Sequence, residues 1–222
     1  MHPGYLSRSR LLGQHVEIHA VWSVITGNRD GYSRHPETMR WRENLPWLKQ
    51  VHDLTAAEMG LRGFGHKSPL EGLAGPSRTL EYVDHPLRQL SLLQEKYREQ
   101  EGGRLILPRN NREFWQQHQA NIYSRGRSIF RGIRPQVKPG PLGPELLEGV
   151  IDALRIPLNM ELARDALSLM ARAMGLSQGW RDLGEEVLEL YRRAREQGYA
   201  PVLQASLLTD VMAAWKYGGE VP

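Results

Sequence analysis

The chain has 222 residues, 29 Lys and Arg against 25 Asp and Glu for a net charge of +4, and no cysteine. That length can bury a sizeable core, the missing cysteine removes disulfides, thiolate metal sites and thiol nucleophiles together, and no apolar run approaches the roughly 18–20 residues a bilayer span needs. The start, MHPGYLSRSR, lacks the basic, apolar, small-residue order of a secretory signal, so a cytoplasmic, nucleoid-associated protein without membrane contact is expected.

Leu11, Leu12, His15, Ile18, Val21, Trp22 and Ile25 recur at three and four, which predicts a helix ending at Gly27-Asn28. Arg10, Gln14 and Glu17 stack on a second, polar strip of that helix. A turn-rich piece from 30 to 36 follows, with Pro36 suited to the first turn of a helix holding Met39, Trp41 and Arg42. Further helices are predicted over 46–61 and 84–100, with a loop over 68–80. Asn110-Asn111 can cap a helix that starts near Arg112. The Pro- and Gly-rich string at 135–144 reads as a linker, and helical patterns over 145–155, 159–174, 180–198 and 201–217 read as a small antiparallel bundle. The expected division is 1–134, 135–144 and 145–222, and the expected class is all-α.

Charge is unevenly spread. Residues 1–103 carry 13 basic and 12 acidic groups, 139–222 carry eight and twelve, and 104–138 carry eight basic groups against Glu113 alone. In that +7 segment Arg104, Arg109, Arg112, Arg125, Arg127, Arg131 and Arg134 interleave with Phe114, Trp115, Tyr123 and Phe130, the mixture that backbone and stacking contact with nucleic acid requires. A DNA-contact surface of Arg104, Arg109, Arg112, Trp115, Arg125, Arg127, Arg131 and Arg134 is therefore expected. For the acidic segment 145–222, a protein partner, self-association, or packing that completes the first domain are all open.

His15, Glu17 and His19 form H-x-E-x-H. Two histidines four apart share a helical face, but Glu17 points about 200° away from His15 at 100° per residue, and a metal site would need a third ligand from His35, His52 or His66. No phosphate loop or nucleophile elbow is present. The residues alone lead to a helical, nucleic-acid-binding protein with one suggestive carboxylate.

Several strings resemble the pyrimidine dimer DNA glycosylases of the endonuclease V type, first described from a bacteriophage. LLGQHVEIHAVWSVITGNRDGYSRHPETMRW and the later EMGLRGF are similar to that family's catalytic helix, its loop and its next long helix. HPLRQLSLLQEKYREQ and LPRNNREFWQQHQ are similar to its closing segment, so the resemblance covers about residues 2–130. It implies a compact helical glycosylase domain acting on damaged pyrimidines in duplex DNA, in which an N-terminal α-amine attacks the sugar C1′, forms an imine and expels the 3′ phosphate. An α-amine suits this because its pKa of roughly 7.7–8.0 leaves more of it neutral than a lysine near 10.4.

By alignment the assisting carboxylate is Glu17, and Arg10, Gln14, His15, His19, Tyr32, Arg34 and His35 are candidate pocket residues. Neither metal nor another cofactor is needed. The positions that carry arginines beside the acid in the bacteriophage enzyme are Val16 and Ala20 here, and the family's amine sits on a short lead that begins several residues before HPGYL. Two other readings stand beside this one: a non-catalytic nucleic-acid-binding module on the same scaffold, and a metal-dependent hydrolase built on His15 and His19.

Overall fold

A computed structural model of the chain describes residues 1–27, 32–71, 84–176 and 182–218. Among them are eleven α-helices, two 3-10 turns at Pro3–Tyr5 and Arg134–Gln136, and no strand. None of these helices is long and apolar enough to cross a membrane. The all-α expectation holds. Asn28, residues 30–31, residues 72–80 of the expected loop and Gly179 lie outside the described residues.

Helix α1 spans Arg8–Thr26 and starts where the Ser7 hydroxyl accepts from the Arg10 amide. Helix α2, Pro36–Arg42, has Pro36 in its first turn and the His35 ring as its cap, and α3 spans Leu45–Leu61. Ile18 of α1, Leu48 of α3 and Leu70 form one apolar cluster, flanked by Val21, Trp22 and Trp41. Helix α4, Pro86–Lys96, precedes α5, Asn111–Tyr123, whose start is fixed by the Asn110 side chain accepting from the Glu113 amide at 2.9 Å. Then come α6, Arg127–Ile133; α7, Pro144–Leu154; and α8, Met160–Ala173. Helix α9, Leu183–Gln197, ends at Gly198, whose φ of 63° is the left-handed C-cap conformation that glycine adopts without strain.

The predicted final helix is two helices, α10 at Ala200–Leu203 and α11 at Leu207–Tyr217. No Gly or Pro marks the break. It occurs because the carbonyls of Leu203 and Ala205 turn to accept from the Arg104 guanidinium at 2.8 and 3.1 Å, while the Ser206 amide donates to the Gln117 carbonyl.

Both large cores cross the 135–144 string. One joins Ala57 and Leu61 of α3 to Leu167, Val187, Leu190, Leu207, Leu208 and Val211. The other joins Leu90, Phe114, Trp115 and Ile122 to Leu146, Leu147 and Val150 of α7. Each fully buried leucine here contributes about 2 kcal/mol relative to exposure. Helices α7, α8, α9 and α11 are thus packed into the helices that precede them.

Beneath these cores lies an ionic node. Glu58 of α3 is fully buried and accepts from Arg62 Nε at 2.7 Å, Arg104 Nη2 at 2.9 Å and the Thr209 hydroxyl at 2.6 Å. Burial alone would raise its pKa, but Arg104, then Arg62 and Thr209, pull it down to about 2. A second node pairs Asp210 of α11 with Arg125 and with His2, whose Nε2 lies 3.1 Å from Oδ2.

Candidate active site

The N-terminal lead is clamped from three sides. Arg62, which follows α3, donates to the carbonyls of Leu6 and Gly4 at 2.7 and 3.1 Å. Tyr97 accepts from the Ser7 amide at 2.8 Å and donates to the Tyr5 carbonyl at 3.1 Å. On the third side the Leu105 amide donates to the Gly4 carbonyl at 2.8 Å. The chains approach so closely there that a Cβ on Gly103 would lie 2.3 Å from the Gly4 oxygen, so only glycine fits.

The clamp brings three of the family-like strings together. Tyr5 of HPGYL donates its hydroxyl to Gln117 Oε1 at 2.6 Å and meets His118 Nε2 at 2.8 Å, so FWQQHQ holds the lead's aromatic ring. Because the hydroxyl proton is committed to Gln117, His118 carries its proton on Nε2 and presents Nδ1 as a buried base with no partner. Burial, then repulsion from His2, lowers the His118 pKa to about 3, so the ring is neutral at working pH. In EMGLRGF, Glu58 and Arg62 anchor the lead from below, and Gly63 adopts the φ of 80° that lets the chain turn out of α3.

The clamped lead opens into a cavity of about 330 Å³, the lower end of ligand-sized clefts. Met1, His2 and Tyr5 line one side, Gln14 of α1 another, and Phe114, His118 and Asp210 the base. Two tryptophans carry arginines into the wall: the Arg40 guanidinium lies 5.3 Å over the Trp41 ring and that of Arg155 lies 4.9 Å over Trp47. Crowding around the Met1 amine lowers its pKa, and the positive charges of Arg40 and Arg155 lower it further. Met1 as a residue is 43% exposed, so the amine is desolvated by nearby protein atoms while the residue keeps a path to solvent. An amine of depressed pKa, two stacked arginines and several aromatic faces therefore share one cleft.

The structure distributes the expected pocket residues unevenly. Gln14 lines the cavity and donates to the Thr55 hydroxyl at 2.8 Å. Glu17 is exposed, stands one turn further along α1, does not line the cavity, and has no ion-pair or hydrogen-bond partner among the described residues. Arg10 is half-buried on the same strip. Tyr32, Arg34 and His35 are exposed and outside the cavity. Tyr32 is the single non-glycine residue with positive φ among those described, at 54°, and the His35 ring is spent capping α2. His15 and His19 do not face the cavity. They gather with His52 of α3 and His66, the four ligand nitrogens lying within 4.8 Å of one another.

Three members of the expected DNA surface are interior. The Arg104 side chain is 4% exposed and bound to Glu58, Thr209 and two carbonyls. Arg125 is equally buried, held by Asp210 and the Ile156 carbonyl. Trp115 sits in the core against Phe130. The physical reason is that each arginine meets a buried carboxylate from another element, which composition along the chain does not reveal. Arg109, Arg112, Arg127, Arg131 and Arg134 remain exposed, Arg109 with an ion pair to Glu113 and Arg127 3.9 Å from Asp165. Sequence reading missed Arg40, Trp41, Trp47, Arg155, His118 and Asp210. Arg40, Trp41 and His118 lay inside the strings that carried the resemblance, and nothing in residues 145–222 marked Arg155 or Asp210.

Residues 1–72 match the family model described as pyrimidine dimer DNA glycosylase. The match covers the lead, α1, α2 and α3 and supports the family read from the strings. No curated protein and no solved structure is significantly similar to the chain.

Proposed function

We propose, with the match over residues 1–72 as premise, that this protein is a DNA glycosylase and abasic-site lyase acting on pyrimidine dimers in duplex DNA. The observation that carries the reading is the delivery of the N-terminal lead into a cleft where the amine's pKa is depressed. A neutral α-amine bonds to C1′ of the damaged nucleotide as the bond to the base breaks and the base leaves with a proton. The nitrogen lone pair then forms the C1′=N bond as the C1′–O4′ bond breaks and the ring oxygen takes up a proton, and removal of a C2′ proton from the resulting protonated imine expels the 3′ phosphate. Arg40 and Arg155 suit the flanking phosphates, and Trp41 and Trp47 suit a displaced base.

Glu17 is the carboxylate of this proposal. It is exposed and has no partner among the described residues, so none of them holds its carboxylate back from a cationic sugar that the bound duplex brings to it. Asp210 lines the cavity with Met1 but is committed to His2 and Arg125, which suits it to holding the lead in place. The exposed arginines of α5, α6 and the turn after them supply the duplex-facing charge.

Two measurements test the reading. Incubation with a dimer-containing duplex and borohydride should yield a covalent adduct, and mass spectrometry should map it to the N-terminal peptide. Absence of any trapped adduct would leave the non-catalytic binding module. Replacing Arg112, Arg131 and Arg134 together by alanine should lower the slope of log affinity against log salt by up to about 2.7, at roughly 0.9 per phosphate contact. An unchanged slope would place the duplex elsewhere.

A further inference from the structure

We propose that His15, His19, His52 and His66 form a binding site for a divalent transition metal of the zinc type, independent of the amine chemistry. The nitrogens are close to chelating geometry. His15 Nε2 and His19 Nε2, one helical turn apart on α1, are 3.2 Å from each other, and a tetrahedral zinc with roughly 2.0–2.1 Å bonds needs about 3.3 Å between ligand nitrogens. With all four ligand atoms within 4.8 Å of one another, small side-chain rotations close the remaining gap.

Two further observations point to a ligand. His52 is fully buried, yet its Nε2 has no hydrogen-bond partner, and His66 Nε2 is likewise buried and unpartnered. A protein rarely leaves such atoms orphaned without something to meet them. The opposite ring nitrogens are held from outside: His52 Nδ1 meets Asp53 Oδ1 at 2.9 Å, and His66 Nδ1 meets the Tyr217 hydroxyl at 3.0 Å. Asp53 is itself fixed by Lys49 at 2.6 Å. The Asp53 carboxylate keeps the His52 proton on Nδ1 and leaves its Nε2 lone pair for a metal, and His66 would do the same by donating from Nδ1 to the Tyr217 oxygen, as outer partners of metal-bound histidines fix the ring. Four imidazoles and no carboxylate favour zinc, nickel or copper over magnesium or calcium. Four protein ligands also close the coordination sphere, so the ion would staple α1, α3, the segment after α3 and, through Tyr217, α11.

The test uses untagged, chelator-treated full-length protein and zinc chloride. Close to one zinc per chain should be retained after dialysis, and at a hundredfold excess over Kd the thermal midpoint should rise by roughly 5–10 °C. The double variant His15→Gln/His19→Gln should lose that binding. Tyr217→Phe should weaken it by roughly 10–100-fold, as loss of an outer partner does. Zinc uptake well below one per chain, or uptake equally tight in a double variant with wild-type circular dichroism, would overturn the proposal. If the double variant does not fold, cobalt loading of the wild-type chain decides. Intense visible bands displaced by zinc are expected of a tetrahedral nitrogen site, and only the weak bands of hydrated cobalt would refute it. None of these readouts depends on glycosylase activity.

Discussion

Replacing Arg104 by alanine should cost the fold about 3–5 kcal/mol, because it leaves the buried Glu58 carboxylate with only part of its compensating charge. The variant loses the guanidinium that holds Glu58, Thr209 and the Leu203 and Ala205 carbonyls at once. Urea denaturation at pH 7 should show the loss as a lower midpoint. The acid limb gives a second check. Glu58 has a folded-state pKa depressed from 4.5 to about 2, so its contribution is fully present above pH 4.5 and is lost as pH falls toward 2. In the variant, burial is less opposed and the carboxyl pKa moves back toward 4.5, so the loss of stability on acidification below pH 4.5 should shrink. If Arg104→Ala instead kept the wild-type midpoint and lost only DNA affinity, the side chain would belong to the binding surface.

Glu17→Gln should lower base release by roughly 10²–10⁴-fold, the range of a positioned acid or base. Glu17 is exposed and has no partner among the described residues, so the stability of the variant should stay within about 0.5 kcal/mol of wild type. DNA affinity should also be retained if, as proposed, the exposed arginines carry the electrostatic contact. Single-turnover release from a dimer-containing duplex, measured beside a binding isotherm, separates the two effects. A fully active Glu17→Gln enzyme would move the acid role to the Asp210 and His2 pair at the cavity's base, and Asp210→Asn would then be the variant to lose activity.

Local signals were strong wherever a side chain caps or punctuates its own helix. Pro36, Asn110 and Gly27 marked real boundaries, and the three-and-four spacing of α1 survives in the burial of Leu11 and Ile18. What failed was long-range. Arg104 and Arg125 looked like surface charge because their partners, Glu58, Thr209 and Asp210, stand between 46 and 105 residues away. The break before α11 was invisible for the same reason, since it is imposed by that same Arg104. His15 and His19 were seen as a pair, but spacing alone could not tell that His52 and His66 join them and His35 does not. The amine's neighbourhood was half legible. The strings that resemble the family do converge on the lead, whereas the stacked Arg155 and the base-forming Asp210 come from a region with no recognisable motif.

The shared ionic node bears on what can be cut from this protein or borrowed from it. Thr209, Asp210, Leu203 and Ala205 satisfy groups that belong to the first half of the chain. A fragment comprising only the family-like third would therefore present a carboxylate held by Arg62 alone, an uncovered apolar helix face and a lead without its Tyr97 and Leu105 contacts, and should collapse or aggregate. Similarity here marks a stretch of inherited sequence, while autonomy of folding belongs to a much longer unit. Transplanting the lead and α1 onto another scaffold would carry the amine without the walls that lower its pKa.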